Sequence, residues 1–424
     1  MKIVFIFIAL QSILLASFSG IVIDNKTNKP VSNAMISDPY HSVKSDENGS
    51  FYINSNSQTY HVKAHGYRLF SFSANLNTTK LYIEPITIKA LYLTFWGANI
   101  QSKTLKRILK IIEDTDVNTI IVDVKNEYGS TSYKTSFNQA NKYGAWHKRT
   151  IKDMKQFMNL MKSKNIYTIA RVVVFKDELQ AKNNPDYAIK KLNGKPWRNY
   201  DEIGWVDPFD TRSHDYTISI AEDAAQVGFD EINFDYIRFP AKKRMKLLKK
   251  NTKENRIMAI NDFLDTAKDR LRKHGVFISV NTYGNICWSK GDNNIGQTVE
   301  SLAEHADYLS PMLYPSGFAS GSFLLENPSE HPYAVIHRSI DNITDRIDSK
   351  RIRPWLQHFK DYAHKKRHYL KFEVQEQIRA CNDINTSGWM MWSPSSKYNT
   401  DYFEKTITKA NQSLIYYKPA LNIE

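Results

Sequence analysis

A (β/α)8 barrel preceded by a small all-β sandwich is the fold this sequence predicts, and three observations predict it. Eight strand-length apolar segments recur between residues 91 and 392. Amphipathic stretches at helical spacing separate them, the rhythm of βα units around a parallel sheet. Residues 20–88 lack that rhythm and show short β-type stretches cut by turn clusters. At 424 residues and 42% hydrophobic composition, the chain has room for one large domain and a small one.

The N-terminus, MKIVFIFIALQSILLASFSG, carries Lys2, an apolar run over 3–16, then Ser17 and Ser19 at cleavage spacing. That pattern predicts a secretory signal peptide over residues 1–19 and a periplasmic or secreted bacterial protein. The run is short for a full span, so an uncleaved anchor helix is the alternative. No later stretch is apolar enough to cross a bilayer, so no stable membrane span is expected after cleavage. The only cysteines are Cys287 and Cys381, and whether they pair is open from sequence.

Within 20–88, the stretches Ile21–Ile23, Phe51–Ile53, Tyr60–Val62 and Leu69–Phe72 alternate with turns at 24–30, 45–50 and Gly66. The run GIVIDNKTNKPVSNAMI…VKSDENGSFYI…YHVKAHGY resembles the carboxypeptidase regulatory-like domain, on Gly20, Pro30, Ala34, Asp46, Gly49, Phe51, Gly66 and Tyr67. The resemblance implies a seven-stranded sandwich serving as a spacer or binding platform.

The barrel is expected over 89–418. Its strands are read at 91–96, 118–125, 167–175, 230–236, 276–282, 307–313, 352–357 and 388–392, with helical patterns at 103–114, 151–164, 214–227, 254–274, 335–347 and 371–385. A doubly wound open sheet is the runner-up, but the first βα turn has no Gly-rich phosphate loop.

The most informative segment is GFDEINFDYIRFP, residues 228–240. Strand alternation puts Glu231, Asn233 and Asp235 on one face and Ile232, Phe234 and Tyr236 on the other. In a barrel the apolar set meets the helices, and the polar set ends in a carboxylate at the C-terminal mouth, where chemistry sits. Other strand ends add Asp123, Lys125 and Glu127; Arg171 and Asp177; Arg238; Asn281 and Tyr283; Tyr314; Gln357 and His358; Trp389 and Trp392. The loop after the third strand adds Trp197, Trp205 and Asp207. Carboxylates, amides and indole rings around one mouth suit a carbohydrate.

Glycoside hydrolysis needs two carboxyl groups flanking the scissile bond. Asp235 is the expected nucleophile or base, its pKa held down by Arg171 or Arg238. Asp177 or Asp123 is the expected acid, with Glu127 and Asp207 as further candidates; Lys125 is expected to pair with Asp123. Arg171, Arg238, Asn281, Tyr314, Gln357 and Trp392 would position the sugar. There is no CxxC, no HExxH and no histidine pair at ligand spacing, so no metal or cofactor is called for. A Gly-x-Ser-x-Gly esterase motif is also absent.

Net charge is +14, much of it in runs such as 242–253. It suits either an anionic partner, such as an acidic glycan, a cell-wall polymer or a lipid headgroup, or simply solvated surfaces. Nucleic acid is not expected, because no recognition motif accompanies the charge.

Taken together, NTIIVDVKNEYG (118–129), IARVVVFKD (169–177), WVDPF (205–209), GFDEINFDYIRFP (228–240), SPMLYPSGF (310–318), RPWLQHF (353–359) and GWMMWSPSSKY (388–398) resemble a bacterial glycoside hydrolase family of (β/α)8 barrels. The resemblance implies O-glycosidic cleavage of a polysaccharide or oligosaccharide, with the aspartate ending the fourth strand, Asp235, as catalytic carboxylate. Two positions depart from that family's pattern: Asn281 stands where an aspartate is common, and His358 where an acid often follows Trp-Leu-Gln. Those departures motivate the alternative, a non-catalytic glycan-binding protein on a degenerate hydrolase barrel.

Overall fold

The computed structural model describes residues 17–73, 79–242, 244–361, 363 and 366–406. The chain divides into two compact units, one through Pro85 together with Arg272–Gly275, the other comprising the remainder. Most of the expected leader, residues 1–16, and the end of the expected barrel, 407–418, lie outside the described residues. Ser17, Phe18 and Ser19 belong to the strand Ser17–Asp24 and pair with Asn54, Ile53 and Tyr52.

The first unit is a two-sheet sandwich. One sheet sets Ser50–Asn54 and Lys80–Ile83 on either side of Ser17–Asp24; the other orders Ser42–Lys44, Met35–Ser37, Thr59–Lys63 and Phe70–Ser73. Alternation supplies the core: Phe51 and Ile53 are buried while Tyr52 is exposed, and Leu81 and Ile83 are buried while Tyr82 is exposed. These meet Val22, Ile36, Tyr60 and Val62 in one apolar cluster.

The second unit is a closed eight-stranded parallel barrel, as the strand rhythm predicted. Its strands are β1 (Ile88–Leu93), β2 (Thr119–Lys125), β3 (Tyr167–Val173), β4 (Glu231–Asp235), β5 (Phe277–Tyr283), β6 (Tyr308–Met312), β7 (Trp355–Gln357) and β8 (Gly388–Trp392). Each pairs in parallel with the next, and β8 closes on β1. The outer helices are α1 (Lys103–Asp114), α2 (Met154–Ser163), α3 (Arg212–Val227), α4 (Lys253–Leu271), α5 (Val299–His305), α6 (Pro332–Thr344) and α7 (Lys371–Asp383). Their starts follow from caps: Ser102 accepts from Leu105 N–H, Asp153 from Gln156 N–H and Thr298 from Ser301 N–H. Gly228 ends α3 with φ +105°, a conformation that favours glycine.

β1 begins three residues earlier than the sequence pattern placed it, and β7 is confined to Trp355–Gln357. Ile120, Val122 and Val124 of β2, like Ile232 and Phe234 of β4, enter the apolar layer between barrel and helices. The inward faces are polar. At the barrel floor, Arg353 Nη2 donates to both oxygens of Glu231 at 2.8 and 2.7 Å, and both side chains of that pair are fully enclosed. Tyr308 lies under the guanidinium at 3.8 Å, and Tyr167 OH donates to Glu231 at 3.1 Å.

Cys287 and Cys381 are both buried free thiols. Among the described residues, no helix is long and apolar enough to cross a membrane, and no group of three or more His, Cys, Asp or Glu side chains could hold a metal ion.

Candidate active site

A cavity of about 610 Å³ opens at the C-terminal mouth over β1, β2, β3, β4 and β8. Its wall includes Tyr92, Trp96, Asp123, Glu127, Tyr128, His147, Lys148, Arg171, Tyr236 and Trp392. Strand alternation brings the core of this set together: Tyr92 is two residues inward from the cross-strand pair Ala90–Thr119, and Asp123 pairs in register with Arg171.

Arg171 is the hub. Its Nε donates to Asp235 Oδ2 at 2.8 Å and its Nη2 lies 2.6 Å from the same oxygen, while Nη1 donates to Asp123 Oδ1. Tyr92 OH donates to Asp123 Oδ2 at 2.6 Å. One guanidinium thus serves two buried carboxyls, 4% and 7% exposed. Burial pushes the Asp123 carboxyl above its ordinary range; Arg171 and Tyr92 oppose that shift, and nearby Glu127 reinforces it. Burial and Asp123 together hold the Tyr92 phenol far above its usual value. Trp392 stacks on Tyr92 at 4.0 Å and sits 5.5 Å from the Arg171 guanidinium, which fixes the indole as part of the wall.

Glu127 also faces the cavity, from the loop after β2, and its carboxylate makes no hydrogen bond or ion pair with another described residue. The loop that carries it turns back through Asn126, whose side chain accepts from Tyr128 and Ser130 N–H at 3.1 and 3.0 Å. Gly129 is required there: φ is +80°, and a Cβ would sit 2.4 Å from Asp177 Oδ1.

Several expected site residues lie elsewhere. Asp177 does not reach the cavity. It is fully buried, 2.7 Å from Lys125 Nζ, and caps the short helix Glu178–Asn183 by accepting from Gln180 N–H at 2.8 Å. The cause is a register slip between Arg171–Asp123 and Val172–Lys125 that gives β2 one extra residue. Lys125 is re-aimed by this bulge, so it pairs with Asp177 and Val173 O, not with Asp123. Asp235 is beside the cavity, not on its wall. Its Oδ2 is held by Arg171, and its Oδ1 accepts from Tyr236 N–H at 2.6 Å.

Tyr236 corrects the alternation argument. A φ of +49° at this residue breaks the strand's period, and the ring that alternation placed among the helices lines the cavity instead. Lys176 and Arg238 lie 4.9 and 5.1 Å from that ring. Arg238 also lies over Trp205 at 5.4 Å, and burial lowers its pKa. Asn281 is buried and accepts from Trp355 Nε1 at 2.7 Å. Gln357 is saturated by Ser316, Gln377 and Phe359 backbone, holding the β6 and β7 ends together. Tyr314 lines a separate hollow of about 110 Å³ with Tyr283 and Phe318. Asp207 accepts from Phe209 and Leu248 N–H and so anchors loops, with burial raising its pKa. His358 packs between Tyr398 and Tyr402, and Trp389 and Trp205 are core.

Of the expected set, the cavity gathers Asp123, Arg171, Trp392 and the lesser candidate Glu127. Sequence reasoning missed Tyr92, Trp96, His147 and Lys148. Tyr92 was recoverable from inward alternation once β1 started at Ile88; His147 and Lys148 arrive on the loop between β2 and α2 and left no periodic signal.

Residues 90–398 match the model of a family described as "Putative glycosyl hydrolase domain". No curated protein matches the chain. Among solved structures, a hypothetical protein from Ruminiclostridium thermocellum ATCC 27405 is 33% identical, covering 45% of this chain and 96% of its own, with TM-score 0.41. The PgaB (BpsB) glycoside hydrolase domain from Bordetella bronchiseptica is 11% identical over 74% of this chain and 95% of its own, with TM-score 0.54, a likeness of fold. An Ostrinia furnacalis Group II chitinase catalytic domain, in complex with a chitooligosaccharide, is 12% identical over 73% and 90%, with TM-score 0.44.

Proposed function

The chain belongs to the family described as "Putative glycosyl hydrolase domain", and on that premise we propose that its barrel cleaves O-glycosidic bonds of a polysaccharide with a carboxyl pair at the 610 Å³ cavity. The observation that carries the reading is the presence on one wall of Asp123, whose carboxyl burial pushes up, and Glu127, whose carboxylate makes no hydrogen bond or ion pair among the described residues. A raised pKa favours the protonated form that a general acid needs. Asp123 delivers that proton to the departing glycosidic oxygen as the bond from the anomeric carbon breaks. Glu127 either bonds to the anomeric carbon or takes the proton of the attacking water. Asp235 is a positioning residue: it holds Arg171, and through it Asp123. Trp392 and Trp96 offer flat apolar faces to the sugar rings.

The remaining readings belong to the same proposal. The protein acts outside the cytoplasm after loss of a leader, as the apolar run over 3–16 supports. The N-terminal sandwich serves as a carboxypeptidase regulatory-like accessory module, supported by its seven strands and the turn residues Gly49 and Gly66, both at positive φ. A second reading, a glycan-binding barrel without turnover, is favoured by one observation: Arg171 and Tyr92 already occupy Asp123.

The test is release of reducing ends from a panel of bacterial and plant polysaccharides. Asp123→Asn and Glu127→Gln should each lower the rate by about 10²–10⁴-fold with the fold unchanged. Binding of a glycan by the wild type with no turnover on any polymer would establish the second reading instead. Full activity in Glu127→Gln would overturn the assignment of the pair.

A further inference from the structure

The loops after β3 and β4 meet in a short antiparallel ribbon, Lys190–Lys191 with Met245–Lys246. Its two faces differ in kind. Met245 and Leu247 turn inward and pack on the barrel's apolar layer. On the alternate positions, Lys246 is exposed, Leu248 is 63% exposed, and Leu192 at the hairpin turn is 69% exposed. The turn itself is tight, with Lys191 N–H donating to Lys195 O at 2.8 Å and Gly194 at φ +82°. The outer face therefore presents leucines between lysines.

The charge on this lobe is not neutralised. From Tyr236 to Lys253 the sequence contains no acidic residue. Lys246, Lys249 and Lys250 are exposed and make no ion pair among the described residues. Lys190 sits directly opposite Lys246 in register, and its nearest carboxylate is Asp186 at 3.8 Å, itself 83% exposed. Like charges opposed across a ribbon destabilise it, and an external anion would relieve that opposition. A soluble polyanion would satisfy the lysines and leave Leu192 and Leu248 in water. An anionic lipid interface satisfies both, lysines at the headgroups and leucines at the acyl boundary.

We propose that this ribbon docks the protein peripherally on an anionic lipid surface. Because both loops follow the C-terminal ends of barrel strands, docking presents the same face of the barrel that carries the cavity. The inference is independent of which glycosidic bond the cavity cleaves.

The experiment is co-sedimentation of the full chain with vesicles of phosphatidylcholine alone or containing 30 mol% phosphatidylglycerol, roughly the anionic content that attracts basic segments. Partition onto the anionic vesicles alone, falling as salt rises, is expected. The triple variant Lys246→Glu, Lys249→Glu, Lys250→Glu should lower the partition coefficient by more than about 100-fold, each lysine being worth about fivefold. The variant Leu192→Ser, Leu248→Ser should lower it by about tenfold at unchanged charge. Both variants should melt as the wild type does and keep its activity on soluble substrate. Equal binding to both vesicle types, or to neither, overturns the proposal. So does full vesicle binding by the leucine variant together with competition by soluble polygalacturonate, which would assign the ribbon to a soluble polyanion.

Discussion

Two buried arginine–carboxylate clusters lie inside one barrel, at opposite ends of β4, and they are built to different rules. At the floor, Arg353 meets one carboxylate, Glu231, with both oxygens engaged and tyrosines closing the rest. At the mouth, Arg171 is shared between Asp123 and Asp235, and a third carboxylate, Glu127, faces the adjoining cavity. The floor is balanced in charge and sealed. The mouth gathers three carboxyls around one arginine beside open space. Conserving the fold asks only for the first arrangement; the second raises a carboxyl's affinity for its proton, and it is the kind of arrangement that chemistry needs.

The contrast is broken most directly by deleting each arginine. Arg353→Met strands Glu231 in a fully buried site, and we expect a loss of about 3–5 kcal/mol in denaturant unfolding. Arg171→Met should cost less, about 1–3 kcal/mol, because Asp123 is already disposed to take up a proton and the cavity admits water. It should also abolish turnover, which Arg353→Met need not do in the fraction that folds. Equal stability losses for the two variants would mean the mouth is as sealed as the floor.

The floor was more legible in the sequence than the mouth, for a physical reason. Period-two alternation in FDEINFD sent Ile232 and Phe234 to the helices and Glu231 and Asn233 inward, and apolar runs marked all eight strands. Such patterns record burial, which the floor satisfies without exception. The mouth is where the pattern breaks. A one-residue slip in β2 separates Lys125 from Asp123, and a left-handed residue after Asp235 swings Tyr236 from the outer face into the cavity. Neither leaves a mark in composition or spacing. Asp177 therefore reads as a mouth carboxylate although it caps a helix, and His147 and Lys148, carried on a loop, leave no sequence signal.

A buried ionisable group with no counter-ion among the described residues sharpens the comparison. His358 is enclosed by Tyr398 and Tyr402, and burial lowers its pKa to about 4 from 6.5. A group whose folded pKa is depressed contributes stability above its unfolded pKa and loses it as pH falls through the folded one. Stability should therefore drop between pH 6.5 and about 4 by up to about 3 kcal/mol from this residue. His358→Phe should flatten that part of the pH–stability curve. An unchanged slope would show that the ring is protonated or solvated in the fold, in which case enclosure alone does not separate the two kinds of site.

The smallest expected effect is the most telling about the mouth. Asp123 has its folded pKa raised by burial above 3.8, so the folded form binds its proton better than the unfolded chain does. Its contribution favours folding below the unfolded pKa and turns against folding as pH rises through the folded one. At neutral pH the group thus contributes less to folding than it does in acid. Asp123→Asn keeps the shape and one acceptor oxygen, removes a titratable carboxyl, and leaves Arg171 paired with Asp235. It should raise stability by about 1 kcal/mol at pH 7, in the range common for relief of strained functional groups, and the gain should vanish as pH is lowered toward 4. A variant less stable than the wild type at pH 7 would mean that Asp123 is ionised and fully repaid by Arg171, the rule of the floor and not of the mouth.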